Sequence, residues 1–118
     1  MDTKLYDSEI KVMEIIWERG PVSAKEISLL AAEKTGWNKN TTYTIIKKLV
    51  EKGVVGRTEP GFICSALLKK EDAQRAEAES LVKKLFGGSK KAFFSALLED
   101  DTLSEEELDE LKRLIDER

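Results

Sequence analysis

The sequence predicts a mainly α-helical fold with one small β-hairpin: a winged helix-turn-helix over residues 1–70 followed by a three-helix region over residues 71–118. Three observations predict it. Apolar residues recur at helical spacing in three segments within about the first fifty residues; two β-prone runs flanking Pro60-Gly61 come next; and from Glu71 the chain turns to Ala, Glu and Lys, with apolar residues again at helical spacing.

Each element has a local reason. Asp7-Ser8-Glu9 places a capping acceptor and acids at the start of a first helix, whose apolar side is Ile10, Met13, Ile15, Ile16 and Trp17 and whose stop is Gly20-Pro21. Ser23 and Glu26, three apart, have the spacing of a capping box and begin a second helix striped by Ile27, Leu30 and Ala31, which ends near Thr35-Gly36. Asn38-Lys39-Asn40-Thr41 caps a third helix through Thr42, Ile45, Ile46 and Leu49, with Gly53 suited to a left-handed cap. Val54–Thr58 and Phe62–Leu67 read as the hairpin, joined by Glu59-Pro60-Gly61. Three helices and a hairpin, in that order, make a winged helix-turn-helix, with the second and third helices as the reading pair and the hairpin as the wing.

The third helix carries the strongest functional signal. At 100° per residue, Thr42, Ile45, Ile46 and Leu49 share one side, while Asn40, Tyr43, Thr44 and Lys47 are expected on the other. Amides, hydroxyls and ammonium groups are what base edges and phosphates accept. The helix start also aims backbone amides at Asn38 to Thr41 toward any phosphate lying there. Lys47, Lys48 and Lys52, with Arg57 on the following strand, form a basic rim. The wing tip holds Glu59 and a single nearby cation, so the helix rather than the wing is the main expected contact. The expected DNA-binding residues are therefore Asn38, Lys39, Asn40, Thr41, Tyr43, Thr44, Lys47, Lys48 and Arg57.

Charge is consistent with that placement. The chain has a formal net charge of −3, yet residues 1–70 carry 12 Lys/Arg against 9 Asp/Glu and residues 71–118 carry 8 against 14, so the N-terminal part is +3 and the remainder −6. The first part is the natural face for a polyanion.

The remaining helices explain how the chain would assemble. Leu81, Val82, Leu85 and Phe86 lie on a helix broken by Gly87-Gly88; Phe93, Phe94, Leu97 and Leu98 on a shorter one; Leu108, Leu111, Leu114 and Ile115 on a last one begun by Ser104-Glu105-Glu106-Glu107. Three short helices cannot enclose that much apolar surface, so a homodimer covering these stripes is expected.

Other residues carry packing rather than chemistry. Trp17 and Trp37 read as core, Cys64 as a buried or half-buried thiol, and the acids from Glu99 to Glu110 as a solvated helix start. With no histidine, one cysteine and no nucleophile–base pair, phosphate loop or metal-ligand spacing, no enzyme, cofactor or metal is expected. The N-terminus lacks the pattern of a signal peptide and no run of about 18 apolar residues occurs, so a cytoplasmic protein is expected.

Three stretches resemble the penicillinase-repressor family of bacterial winged-helix transcriptional repressors, the BlaI/MecI/CopY type. They are Glu9–Trp17, Trp37–Thr44 leading to Leu49 and Lys52-Gly53, and Gly87-Gly88 with Leu103-Ser104. The resemblance implies a homodimeric repressor that binds a two-fold symmetric operator, with base and phosphate contacts on Asn40, Thr41, Tyr43 and Thr44 flanked by Lys39 and Lys48. Tyr43 stands where some relatives have Arg. Copper-responsive members end in Cys-x-Cys pairs that this chain lacks. β-Lactam-responsive members are inactivated through a membrane sensor-protease system that leads to cleavage at an Asn-Phe bond; Ala96-Leu97 aligns there, and the chain has no Asn-Phe. A winged-helix protein–protein interaction module without DNA binding is the alternative reading, and it requires an apolar outer face on the third helix.

Overall fold

A computed structural model describes residues 4–99 and 102–118. The elements follow the order α1 (Asp7–Arg19), β1 (Val22–Ser23), α2 (Ala24–Thr35), α3 (Lys39–Glu51), β2 (Val55–Thr58), β3 (Ile63–Ala66), α4 (Lys70–Leu85), α5 (Lys90–Leu98) and α6 (Glu105–Asp116). The expected three helices, hairpin and three further helices are all present. The backbone forms two compact units, Met1–Ala78 and Glu79–Arg118.

In the first unit, Val12, Met13, Ile15 and Ile16 of α1, Ile27 and Ala31 of α2, and Ile45, Ile46 and Leu49 of α3 meet in one core, closed by Val54, Val55, Cys64 and Leu68. The i, i+3, i+4, i+7 spacing of Thr42, Ile45, Ile46 and Leu49 is what turns one whole side of α3 inward. Leu68 and Ala73 belong to the same core, so the first turns of α4 complete this unit. Half-buried Trp17 packs on the core and donates its indole N–H to the Leu68 carbonyl oxygen at 2.9 Å.

The hairpin pairs β2 with β3 antiparallel, Val55 opposite Ala66 and Thr58 opposite Ile63. A third strand was not expected from the sequence: β1 pairs with β3 through Val22 and Cys64 and through Ser23 and Ile63, giving the order β1-β3-β2. Two residues are too few to show a period-two pattern, so only the fold reveals this strand.

The helix starts differ in one respect from expectation. Ser23, Asn38, Ser89 and Ser104 all accept a backbone N–H from the third residue beyond them. In α1, however, the Glu9 carboxylate reaches back to the Tyr6 N–H at 2.8 Å, so the cap is made by the acid at the third helical position rather than by Asp7 or Ser8. Gly53, at φ +81, takes the left-handed conformation that ends α3 and turns the chain into β2.

In the second unit, Ser104 and Glu107 form a reciprocal capping box at the start of α6. Phe93 of α5 meets Phe86 edge-on at 5.5 Å between centroids and lies beside Phe94 at 5.7 Å. Leu85, Phe94, Leu97, Leu98, Leu114 and Ile115 remain exposed. Among the described residues, no helix is long and apolar enough to cross a membrane.

Candidate nucleic-acid interface

The site is built from the N-terminal end of α3. Asn38 is extended, at φ −75 and ψ 165, and its side-chain oxygen accepts the Thr41 N–H at 2.8 Å. That cap satisfies one of the unpaired donors of the first turn and fixes where the helix begins. From there the side chains divide by period. Thr42, Ile45, Ile46 and Leu49 are buried, whereas Lys39, Asn40, Thr41, Thr44, Lys47 and Lys48 are exposed.

The exposed face offers a graded set of partners. Thr44 donates its hydroxyl to the Asn40 carbonyl oxygen at 2.9 Å, which holds its oxygen as an outward acceptor beside its methyl group. Asn40, Thr41, Thr44 and Lys48 line an open concavity together with Ser8, Trp37, Asn38 and Ile45, so the start of α1 borders the same surface. Lys47 and Lys48 extend the cationic character toward the C-terminal half of α3.

Three expected contributors sit differently. Tyr43 is half-buried rather than fully outward: its ring meets Phe62 edge-on at 5.9 Å and packs on the core, because the wing closes over that flank of α3. Lys52 is withdrawn from the rim. Its Nζ lies 2.6 Å from Glu9 Oε1 and 4.7 Å from the Tyr6 ring centroid, and it also donates to the Lys4 carbonyl oxygen. Arg57 is exposed on β2 but already paired with Glu59 at 2.6 Å. Sequence reasoning missed the Glu9–Lys52 pair. The signal was an acid three and four residues before Val12 and Met13, on the buried side of α1, where only a partner cation makes a carboxylate tolerable.

Within the second unit, Leu81, Leu85, Phe94, Leu97, Leu98, Leu111, Leu114 and Ile115 are exposed, and Phe86, Phe93 and Leu108 are half-buried. Val82 differs from the expected interface set: it is buried in its own chain, on the part of α4 over which the Gly87-Gly88 turn folds back to hydrogen-bond the Val82 carbonyl oxygen. Ala96 and Leu97 are both exposed, inside α5. Cys64 is buried in β3, and that burial pushes its thiol pKa up.

The Penicillinase repressor family profile matches residues 5–117, nearly the whole chain. The chain belongs to the penicillinase repressor family. Its similarity to curated members is low in identity and high in coverage. It is 24% identical over 116 residues to the penicillinase repressor of Bacillus licheniformis, spanning 97% of this chain and 91% of the relative. It is 26% identical over 123 aligned positions to the methicillin resistance regulatory protein MecI of Staphylococcus aureus (strain N315), spanning all of both chains. The solution structure of the DNA binding domain of the repressor BlaI superposes with a TM-score of 0.56 at 22% identity, covering 59% of this chain and 88% of that one. This likeness establishes the winged-helix fold of the family's N-terminal unit in the present chain.

Proposed function

We propose that this penicillinase-repressor-family chain is a dimeric, sequence-specific DNA-binding transcriptional repressor that lays α3 in the major groove of a two-fold symmetric operator. The observation that carries the reading is the division of α3, which buries Thr42, Ile45, Ile46 and Leu49 and presents Asn40, Thr41, Thr44, Lys47 and Lys48 on its other side. A helix of 13 residues is about 20 Å long, and a major groove about 12 Å wide admits it. Asn40 suits the paired donor and acceptor of adenine, Thr44 a base edge or a thymine methyl, and Lys39 and Lys48 the phosphates on either side. Family membership, and relatives named as repressors, support the same reading.

Dimerisation is the second half of the proposal. The exposed Leu85, Phe94, Leu97, Leu98, Leu114 and Ile115 supply apolar surface that a second copy would cover, and two copies would set two α3 helices about one helical turn, roughly 34 Å, apart on the duplex. If a membrane sensor-protease system relieves repression at Ala96-Leu97, α5 must open first, because a bond inside a helix does not fit an extended protease cleft.

Fluorescence anisotropy of the full chain with its own promoter region tests the reading. Selective binding is expected, weakening by tens-fold or more between about 50 and 200 mM salt if several phosphates are contacted. Equal affinity for scrambled DNA would overturn it.

A further inference from the structure

The wing holds an array of residues that the groove-reading helix does not explain. Glu59, in the hairpin turn, directs Oε1 at Arg57, 2.7 Å from Nε and 2.6 Å from a terminal nitrogen of the same guanidinium. Its other oxygen accepts the Phe62 N–H at 3.1 Å. The guanidinium carbon stands 3.6 Å from the centroid of the Phe62 ring, so one face of the cation rests on the ring while one edge is taken by the carboxylate.

Phe62 is itself fixed from three sides. Its φ of +48 is unusual for a residue with a bulky side chain. Its carbonyl oxygen accepts the Ala24 N–H at 2.9 Å, its N–H is held by Glu59, and its ring abuts Tyr43. Lys39 Nζ lies 5.5 Å from the Tyr43 ring centroid. A row of Lys39, Tyr43, Phe62 and Arg57 therefore runs from the start of α3 to the wing, with a cation at each end.

We propose that Glu59 is an internal competitor for a DNA phosphate at Arg57, a proposal that rests on the repressor reading and deepens it. A carboxylate and a phosphate seek the same edge of a guanidinium. The Phe62 ring lies against one face of the guanidinium, a contact that does not use the carboxylate, so the cation has a support of its own while its edge faces an anion. Glu59 fills that role in the free protein. Both partners are about half exposed, at 44% and 55% of their side chains, so the pair is weak enough to exchange. A phosphate that takes the cation must displace Glu59 or lie against its charge. Because a phosphate carries no base identity, Glu59 lowers affinity for every duplex alike and leaves base preference to α3.

The test compares wild type, Glu59→Gln, Arg57→Gln and the double variant of the full chain, by anisotropy against the promoter region and a scrambled duplex. Gln retains an acceptor for the Phe62 N–H, and matching far-UV spectra and melting temperatures check that the fold is kept. Glu59→Gln is expected to tighten binding about two- to fivefold on both duplexes, the scale of an exposed ion pair, and to have no effect in the Arg57→Gln background. In 15N-labelled wild type, the Arg57 Nε–H resonance should move when duplex is added. Unchanged affinity of Glu59→Gln, an equal gain without Arg57, or an unmoved resonance would overturn the proposal while leaving selective wild-type binding, and hence the repressor reading, intact. Absence of selective wild-type binding would overturn both.

Discussion

Lys52 Nζ lies 2.6 Å from Glu9 Oε1, joining the end of the third helix to the first turn of the first. Glu9 is almost entirely buried, at 2% exposure, and the same oxygen accepts the Tyr6 N–H. Replacing Lys52 by Met leaves a carboxylate inside the fold without its cation. Breaking a fully buried pair costs ~3–5 kcal/mol, and the loss here should be nearer 2–3 kcal/mol because Lys52 keeps some contact with water. Combining it with Glu9→Met should recover much of the loss, and urea unfolding of wild type and the two variants measures both effects.

Thr42 offers the opposite experiment. Its hydroxyl is buried on the inner side of α3 and has no hydrogen-bond partner among the described residues. Valine has nearly the same shape and the same branching, so Thr42→Val should be neutral or stabilising by up to ~1 kcal/mol. An unfolding midpoint lower than wild type would show that the hydroxyl has a partner in solution.

On the outer side of α3, the residues proposed to face bases and those proposed to face phosphates should separate in their behaviour. Asn40→Ala or Thr44→Ala is expected to relax preference at one base position, by roughly 1–3 kcal/mol for each lost contact. Lys48→Gln should weaken binding to every duplex and reduce the salt slope by about one. Competition binding with single-base operator variants distinguishes the two patterns.

Assembly should depend on the last helix. Leu114 and Ile115 are 60% and 69% exposed in the single chain, and a charge at either would sit in the proposed dimer interface. Ile115→Asp should give monomers in sedimentation velocity, with the helical content of residues 4–78 retained and operator affinity lost with the second half-site. A dimer that persists through substitutions at both residues would remove α6 from the interface.

The wing turn should respond to acid. The Glu59 pKa is held below the ordinary carboxylate value by the Phe62 N–H first and by Arg57 second. The folded state therefore favours the ionised form. The contribution of this carboxylate to the turn is present above the ordinary carboxylate range and is lost as pH falls through the lowered folded value. The Phe62 amide resonance should titrate at that lowered value, below the pKa of an unstructured Glu.

Much of this protein can be read from residue order. The spacing of Ile45, Ile46 and Leu49 names the inner side of α3 and, by subtraction, assigns Asn40, Thr44 and Lys47 to the outer side. Ser23, Asn38 and Ser104 mark helix starts because capping is a contact between residues three apart. The Pro-Gly turn between two β-prone runs marks the wing for the same reason: local sequence determines local conformation.

Tertiary structure decided what depends on residues far apart in the chain. Tyr43 has the periodicity of an outward residue, yet the wing, nineteen positions on at Phe62, leans on it and half-buries it. Lys52 reads as part of a basic rim, yet Glu9, 43 positions earlier, draws it inward. β1 exists only because β3 offers it a partner. Periodicity reports which side of an element a residue takes, but a cation's availability depends on which anion the folded chain brings beside it, and no local pattern records that distance.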